Sequence, residues 1–202
     1  MDRHLQRIGE IFRAIDSMYT AALNHYSFSC EGCSDNCCVT RFQHHTIIEE
    51  LYLAEGVKRL DEDKKKAVAG RAEEVVKIHN SSPDDMRVMC PLNEDGLCIL
   101  YEHRPMICRI HGVPYELHKR DMSIEYGVGC HRFMAEKVTE GLKYFPLNRT
   151  MFYIELAKLE KEVRGHLNFT GAYGKTTAEM VLSILRKDQG TLERACRKGR
   201  II

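Results

Sequence analysis

Cysteine is the residue type that most constrains how this chain can fold. Four cysteines fall within nine positions of the stretch FSCEGCSDNCCVTRF, and four more follow at wider intervals. The eight are Cys30, Cys33, Cys37, Cys38, Cys90, Cys98, Cys108 and Cys130. A chain of 202 residues can bury an ordinary hydrophobic core, so it needs no covalent staples. The thiols therefore predict a chemical role and a fold that brings remote thiols together.

The charge pattern favours a cytoplasmic protein. The first residues, MDRHLQRIGEIFRAIDSMY, lack the unbroken apolar section of a signal peptide. No uncharged apolar stretch reaches the length that spans a bilayer. The formal net charge of +1 argues against a broad surface for nucleic acid or anionic membranes. We therefore expect a cytoplasmic protein that has neither a membrane nor a nucleic acid as partner.

In that reducing compartment, clustered thiols more often bind metal or do redox chemistry than form disulfides. The alternative is that the cysteines are buried as small hydrophobic residues. This alternative suits Cys196, which stands alone in the basic tail RACRKGR. It fits poorly with the adjacent Cys37 and Cys38, which lie among Ser, Asp and Asn. We therefore interpret the other eight cysteines as metal ligands.

The spacing of the thiols leaves both the number of centres and the metal open. The C-x-x-C pair Cys30 and Cys33 can bind one ion from a tight turn, and Cys37 can add a third ligand. Neighbouring side chains diverge, so Cys37 and Cys38 are candidates for different centres, unless one of them is a spare. Eight thiols suffice for two four-ligand sites, or for one site with supporting cysteines. Because a zinc ribbon shows two C-x-x-C knuckles and this chain has one, the layout slightly favours an iron–sulfur cluster over zinc.

Several histidines lie near the cysteines in sequence. His111 and His131 could complete a mixed Cys/His site, but we interpret them as surface or hydrogen-bonding residues because the cysteines suffice. His44 and His45 are candidates to donate hydrogen bonds to a thiolate or a carboxylate. His103 is expected to be exposed.

Two arginines, Arg104 and Arg109, flank the later cysteines. One interpretation is that they offset the negative charge of the thiolates. The other is that each holds a loop in place through backbone carbonyls or through a carboxylate such as Glu102. The sequence leaves both interpretations open.

Hydrophobic periodicity predicts helices on both sides of the cysteine-rich centre. Apolar residues recur every three or four positions up to about Tyr26. They recur again at Phe152, Leu156, Leu159, Val163 and Leu167, in a helix that begins after Pro146. Helix caps are predicted at Thr46 with Glu49, at Asp61, and at Thr176 with Glu179, and a helix stop at Gly56.

The centre is expected to contain two short hairpins and a brief helix. A turn at Asp95-Gly96 predicts that Cys90 and Cys98 lie near each other, and a second hairpin turns near residues 119–121. Pro105 suits the start of a brief helix through Cys108. The fold class is thus mainly α (α+β), with helices flanking a central cysteine-rich metal-binding region of loops and short β-hairpins. We expect a single domain over residues 1–202, with a cysteine-cluster core at about 28–132 and C-terminal helices at about 146–190.

The order of these motifs resembles the YkgJ-type CxxCxxCC cysteine-cluster family, which is described as a zinc- or iron-chelating domain. The resemblance is carried by FSCEGCSDNCC, by CPLNEDGLCILYEHRPMICR and by a later cysteine, and it spans roughly residues 28–132. It implies that the eight cysteines bind metal. The related flagellin lysine methylases share the cysteine motif and use an iron–sulfur cluster. This chain lacks the glycine-rich nucleotide-binding fingerprint after a strand, so methyl transfer is not carried over to it.

Three hypotheses for function follow. The first is a cytoplasmic metal-binding protein whose cysteines hold an iron–sulfur cluster or zinc. The second is an iron–sulfur-dependent redox or protein-modifying enzyme, with a pocket lined by Arg104, Arg109, His111 or Tyr115. The third is a zinc-stabilised interaction module, in which metal fixes the loops and the helices recruit a protein partner.

Overall fold

The fold is mainly helical, as predicted. A computed structural model describes residues 1–30, 33, 37–83, 86–137, 143–145 and 147–197, with side chains up to residue 187. The described helices are α1 (Asp2–His25), α2 (Ile47–Lys58), α3 (Glu62–Ser81), α4 (Met106–Ile110), α5 (His131–Lys137), α6 (Thr150–Leu167) and α7 (Thr177–Arg197). The strands are β1 (Asn93–Glu94), β2 (Leu97–Cys98), β3 (Tyr115–His118), β4 (Ile124–Gly127) and β5 (Leu147–Asn148). None of the described helices combines the length and apolar character needed to cross a membrane.

The chain divides into two compact units, each assembled from three segments of sequence. Unit 1 comprises Met1–Cys37, Thr46–Glu49 and Arg104–Gly171. Unit 2 comprises Cys38–His45, Glu50–His103 and Ala172–Ile202. That the whole chain acts as a single domain stays a prediction.

In unit 1, α1 packs against α4 and α6, and a three-stranded sheet contacts these helices. The predicted apolar stripe of α6 is buried at Leu156, Leu159 and Val163, whereas Leu167 is exposed at the helix end. Strands β3 and β4 form the predicted second hairpin, and β5 joins β3 in parallel. The sequence did not indicate β5, because a two-residue strand carries no periodic pattern.

The start of α2 holds α4 in place within unit 1. Thr46 donates a hydrogen bond to Glu49 across 2.5 Å, which confirms the predicted capping pair. The other carboxylate oxygen of Glu49 accepts the backbone N–H of Met106 at 2.8 Å. A capping residue of one helix thus fixes the first turn of α4, the helix that carries Cys108.

In unit 2, α3 packs against α7 around a core that includes Leu53, Val68 and Met180. The predicted hairpin forms between β1 and β2, with Asp95 at φ 51° and Gly96 at φ 85° as its turn. Two positive φ values in succession are those of a tight hairpin turn that matches strand twist. Cys90 and Cys98 pack at the edge of this core.

The predicted helix stop at Gly56 is wrong, because α2 continues to Lys58. A Cβ atom at Gly56 would lie only 2.8 Å from Cγ of His103. A glycine at this position therefore allows His103 to pack closely against α2. His103 is half-buried, and the centre of its ring lies 5.0 Å from the centre of the Tyr52 ring. The expectation that His103 is exposed was wrong for the same reason.

Glu50 in unit 2 gives the first prediction, a dependence of stability on pH. Burial alone would raise its pKa, but hydrogen bonds from Lys175, Tyr173 and Ser183 lower the pKa below its ordinary value of 4.5. A lowered pKa stabilises the fold fully above 4.5, and this contribution is lost as pH falls through the folded-state value. We expect Glu50→Gln to lower the free energy of unfolding by about 1–3 kcal/mol at pH 7. The decline of this free energy below pH 4.5 should be less steep in the variant than in the parent.

Urea unfolding of the Glu50→Gln variant and the parent chain at several pH values checks this. Glu55→Gln, on the partly exposed pair with Lys58, is the matched control and should change little. Equal pH slopes for parent and Glu50→Gln would contradict the prediction.

Candidate metal centre

Five of the eight predicted ligands lie in unit 1: Cys30, Cys33, Cys37, Cys108 and Cys130. The other three, Cys38, Cys90 and Cys98, lie in unit 2. The adjacent Cys37 and Cys38 therefore belong to different units, since the first segment of unit 1 ends at Cys37.

Tyr19 of α1 lies beside Cys30, one of the unit 1 cysteines. Its hydroxyl donates to the backbone carbonyl of His111 at 2.6 Å and lies 3.5 Å from Sγ of Cys30. Burial raises the pKa of Tyr19, and the charges of the Cys30, Cys37 and Cys130 thiolates raise it further. Cysteines that lie up to a hundred positions apart in sequence thus act electrostatically on one hydroxyl group.

Two glycines let the backbone approach these thiols. The amide of Cys130 donates to the carbonyl of Gly112 at 3.0 Å. A Cβ atom at Gly112 would lie 2.9 Å from the hydroxyl of Tyr19 and 3.9 Å from Sγ of Cys30. At Gly129 it would lie 2.8 Å from the carbonyl oxygen of Gly112. Both glycines have positive φ, 116° and 91°, which disfavours any side chain at these positions.

Helix α5 supplies donors to two of the unit 1 sulfurs. The backbone N–H of Phe133 lies 3.4 Å from Sγ of Cys130. Hydrogen bonds to Glu136 and then to Cys33 raise the pKa of Arg132, so this arginine stays charged beside the C-x-x-C pair. N–H groups and a cation near sulfur favour the thiolate, which is the form that binds metal.

Arg104 and Arg109 hold α4 against α1. Both are buried, and both pair with the carboxylate of Asp16: Arg104 at 3.1 Å, and Arg109 through a second oxygen. Arg109 also donates to the carbonyl of Arg104 at 2.9 Å, and its guanidinium lies 4.3 Å above the ring of Phe12. These contacts support the interpretation that the arginines fix the local chain through a carboxylate, here that of Asp16.

The three unit 2 thiols are linked through the backbone. Cys90 donates its amide to the carbonyl of Cys38 at 2.9 Å, and its own carbonyl accepts the amide of Asn93 at 3.0 Å. Asn93 pairs with Cys98 across the hairpin. Burial and the nearby Cys38 and Cys98 raise the pKa of Cys90 to about 12, so without a cation this thiol stays protonated.

A small cavity of about 30 Å³ opens beside Cys38 and Cys90 in unit 2. His79 and Arg41 also line it. These residues differ from Arg104, Arg109, His111 and Tyr115, which the enzyme hypothesis placed around a pocket. The cavity therefore does not support that hypothesis.

His79 is a residue that the sequence analysis did not single out. Both of its ring nitrogens are buried, and neither has a hydrogen-bond partner among the residues that the structure describes. Burial and the cationic Arg41 lower the pKa of His79, so its imidazole is neutral at pH 7. Its position continues the buried series Val68, Ala72 and Val75 at helical spacing, and this was the signal that it faces inward.

His44 was predicted to hydrogen-bond to a thiolate or a carboxylate, but its ring contacts a hydroxyl group. It is buried, and its Nε2 lies 3.1 Å from the hydroxyl of Thr177 rather than from a carboxylate or thiolate. Burial and the neighbouring His45 lower the pKa of His44 to about 4. It stabilises the start of α7.

The donor set fits a soft or borderline metal. The eight described cysteines form no disulfide bond, and thiols lose their protons when they bind such ions. In the described ranges, no three Cys, His, Asp or Glu side chains are already arranged around one ion. Gly112 leaves open the space next to Cys30 that a Cβ atom would occupy.

Comparison with known proteins identifies one family. The model of the CxxCxxCC family, with the description "Putative zinc- or iron-chelating domain", matches residues 29–130. Neither the curated proteins nor the solved structures give a significant match. The matched range contains all eight predicted ligands.

Proposed function

Because the chain belongs to the CxxCxxCC family of zinc- or iron-chelating domains, we propose that it uses its cysteine thiols to hold an iron–sulfur cluster or zinc. The proposed ligands are the eight cysteines named above. Unit 1 contains five of them, and four suffice for either kind of centre. A reducing compartment such as the cytoplasm suits thiols in this number.

The observation that supports this most strongly is the effect of three cysteines, Cys30, Cys37 and Cys130, on the pKa of Tyr19. Several thiolates that act on one buried hydroxyl repel one another, and a cation would balance their charge. The N–H of Phe133 and the cationic Arg132 supply part of that balance, and a metal supplies the remainder.

We favour an iron–sulfur cluster over zinc in unit 1. The unit carries one C-x-x-C pair, a third cysteine nearby and a distant Cys130, which is an arrangement that iron–sulfur proteins use. The Tyr19 hydroxyl, 3.5 Å from the Cys30 sulfur, would then be a polar neighbour that helps to set the reduction potential of the cluster.

The test is to purify the full chain without oxygen, record its visible spectrum and measure its iron, sulfide and zinc. We expect brown protein that contains iron and sulfide. We expect Cys30→Ser and Cys130→Ser to lower metal affinity by more than about 100-fold. Removing a metal ligand weakens binding more than removing a residue that only hydrogen-bonds to a ligand.

Cys196→Ser is the matched control, since Cys196 lies outside the family match, and it should leave metal content unchanged. Colourless protein that contains zinc would replace the iron–sulfur assignment with zinc. Protein that binds neither metal, or Cys30→Ser protein with full metal content, would refute the proposal for unit 1.

A further inference from the structure

In unit 2, three cysteines have described side chains, Cys38, Cys90 and Cys98, whereas a structural zinc site has four protein ligands. His79 lies at the same cavity as Cys38 and Cys90, with both ring nitrogens buried and without partners among the described residues. An imidazole in that state is unfavourable, because buried polar atoms are normally paired. Binding a metal through one nitrogen would remove part of this cost.

We propose that His79, Cys38 and Cys90 bind one divalent ion of the zinc class in the unit 2 cavity, with Cys98 as the fourth ligand. Three cysteines and one histidine form a common structural zinc set. The assignment rests on the proposed function, since it requires that thiols of this chain bind metal.

The cavity has room for a single ion. Its volume of about 30 Å³ exceeds the roughly 10–15 Å³ that holds one water molecule.

The charges around the cavity suit this ligand set. A divalent ion with three thiolates and a neutral imidazole carries one net negative charge. Arg41 lines the same cavity, and its guanidinium offsets that charge. The same cation would oppose a metal held by neutral groups alone.

Backbone hydrogen bonds connect the three cysteines. The amide of Cys90 binds the carbonyl of Cys38, and the hairpin pairs Cys98 with Asn93, three residues after Cys90. No three described donors already surround one point, so binding includes a turn of the thiol groups. A cysteine side chain has a single torsion with three staggered positions, so this turn needs no change of fold.

The experiment compares the full-length parent chain, His79→Leu and His118→Leu, with Zn²⁺ and Co²⁺ as probes. His118 is on β3 in unit 1 and pairs with Glu116, so it controls for loss of an imidazole elsewhere. We expect His79→Leu to weaken zinc binding by at least about 100-fold and to alter the Co²⁺ spectrum. His118→Leu should bind zinc as the parent does.

Thermal unfolding of metal-free protein separates a ligand from a residue that only packs. Because leucine removes two unpaired buried nitrogens, metal-free His79→Leu should melt at or above the temperature of the parent. Added zinc should raise the melting temperature of the parent but not of His79→Leu. A metal-free His79→Leu that melts lower and still gains from zinc as the parent does would overturn the inference.

Zinc X-ray absorption on the parent chain gives a test that needs no variant. We expect one nitrogen at about 2.0–2.1 Å together with sulfurs at about 2.3 Å. Sulfur ligands alone would overturn the role of His79 and leave the proposed thiol chemistry intact. If Cys30→Ser loses iron but unit 2 contains no zinc, only this inference is overturned. If no cysteine variant loses either metal, the proposed function is refuted.

Discussion

Gly129→Ala is expected to lower the free energy of unfolding by about 2–6 kcal/mol. Gly129 has φ 91°, and its added Cβ would lie 2.8 Å from the carbonyl oxygen of Gly112. That oxygen belongs to the backbone and accepts the amide of Cys130, so it cannot move away without displacing the cysteine. Denaturant unfolding, followed by circular dichroism, measures the loss.

Gly70→Ala is the matched control for this change. Gly70 lies inside α3, and no atom comes within 4 Å of a Cβ placed there. Alanine is the better helix former by about 0.5–1 kcal/mol, so this variant should be more stable than the parent. Gly129→Ala with the stability of the parent would show that the Gly112–Cys130 backbone is not fixed as described.

Asp16→Ala is expected to lower the free energy of unfolding by about 2–4 kcal/mol. The side chains of Arg104 and Arg109 are only 9% and 2% exposed, and both pair with this one carboxylate. Removing it leaves two buried guanidinium groups without that partner, a larger cost than losing an exposed pair. Asp16 itself is 38% exposed, so water can replace part of the interaction, and we place the effect below that of a fully buried pair.

Glu10→Ala, at an exposed position of the same helix, serves as the control and should change stability by less than about 0.5 kcal/mol. Metal content adds a second measurement, because Asp16 holds α4 and therefore Cys108. Equal stabilities of Asp16→Ala and Glu10→Ala would contradict the description of the arginine pair.

The elements that could be predicted from the sequence are those that local chemistry determines. Thr176 and Glu179 form their capping box with both predicted partners, and the Asp95-Gly96 turn forms with the expected backbone. Each of these involves residues within a few positions of each other. Periodicity likewise identified α6, because one face of that helix is buried along most of its length.

What could not be predicted depends on partners far apart in the chain. Asp16 and Arg109 are 93 positions apart, so the sequence offered the nearby Glu102 instead. The pairing of β5 with β3 and the approach of His103 to Gly56 are of the same kind. His79 was missed for a different reason: a histidine on an apolar helix face is more often a packed residue than a ligand. Its unpaired nitrogens can be recognised only from the structure.

Each unit is assembled from three separate segments of sequence, and this affects how much of the chain is needed for folding. The family match ends at residue 130, but the buried faces of α1 and α6 in unit 1, with Phe12 and Leu159, lie outside it. The same holds in unit 2 for Met180 of α7. A fragment excised at the family boundaries would expose the surfaces that these helices cover, and should aggregate rather than fold. The cysteine region thus depends on flanking helices that lie outside the family match.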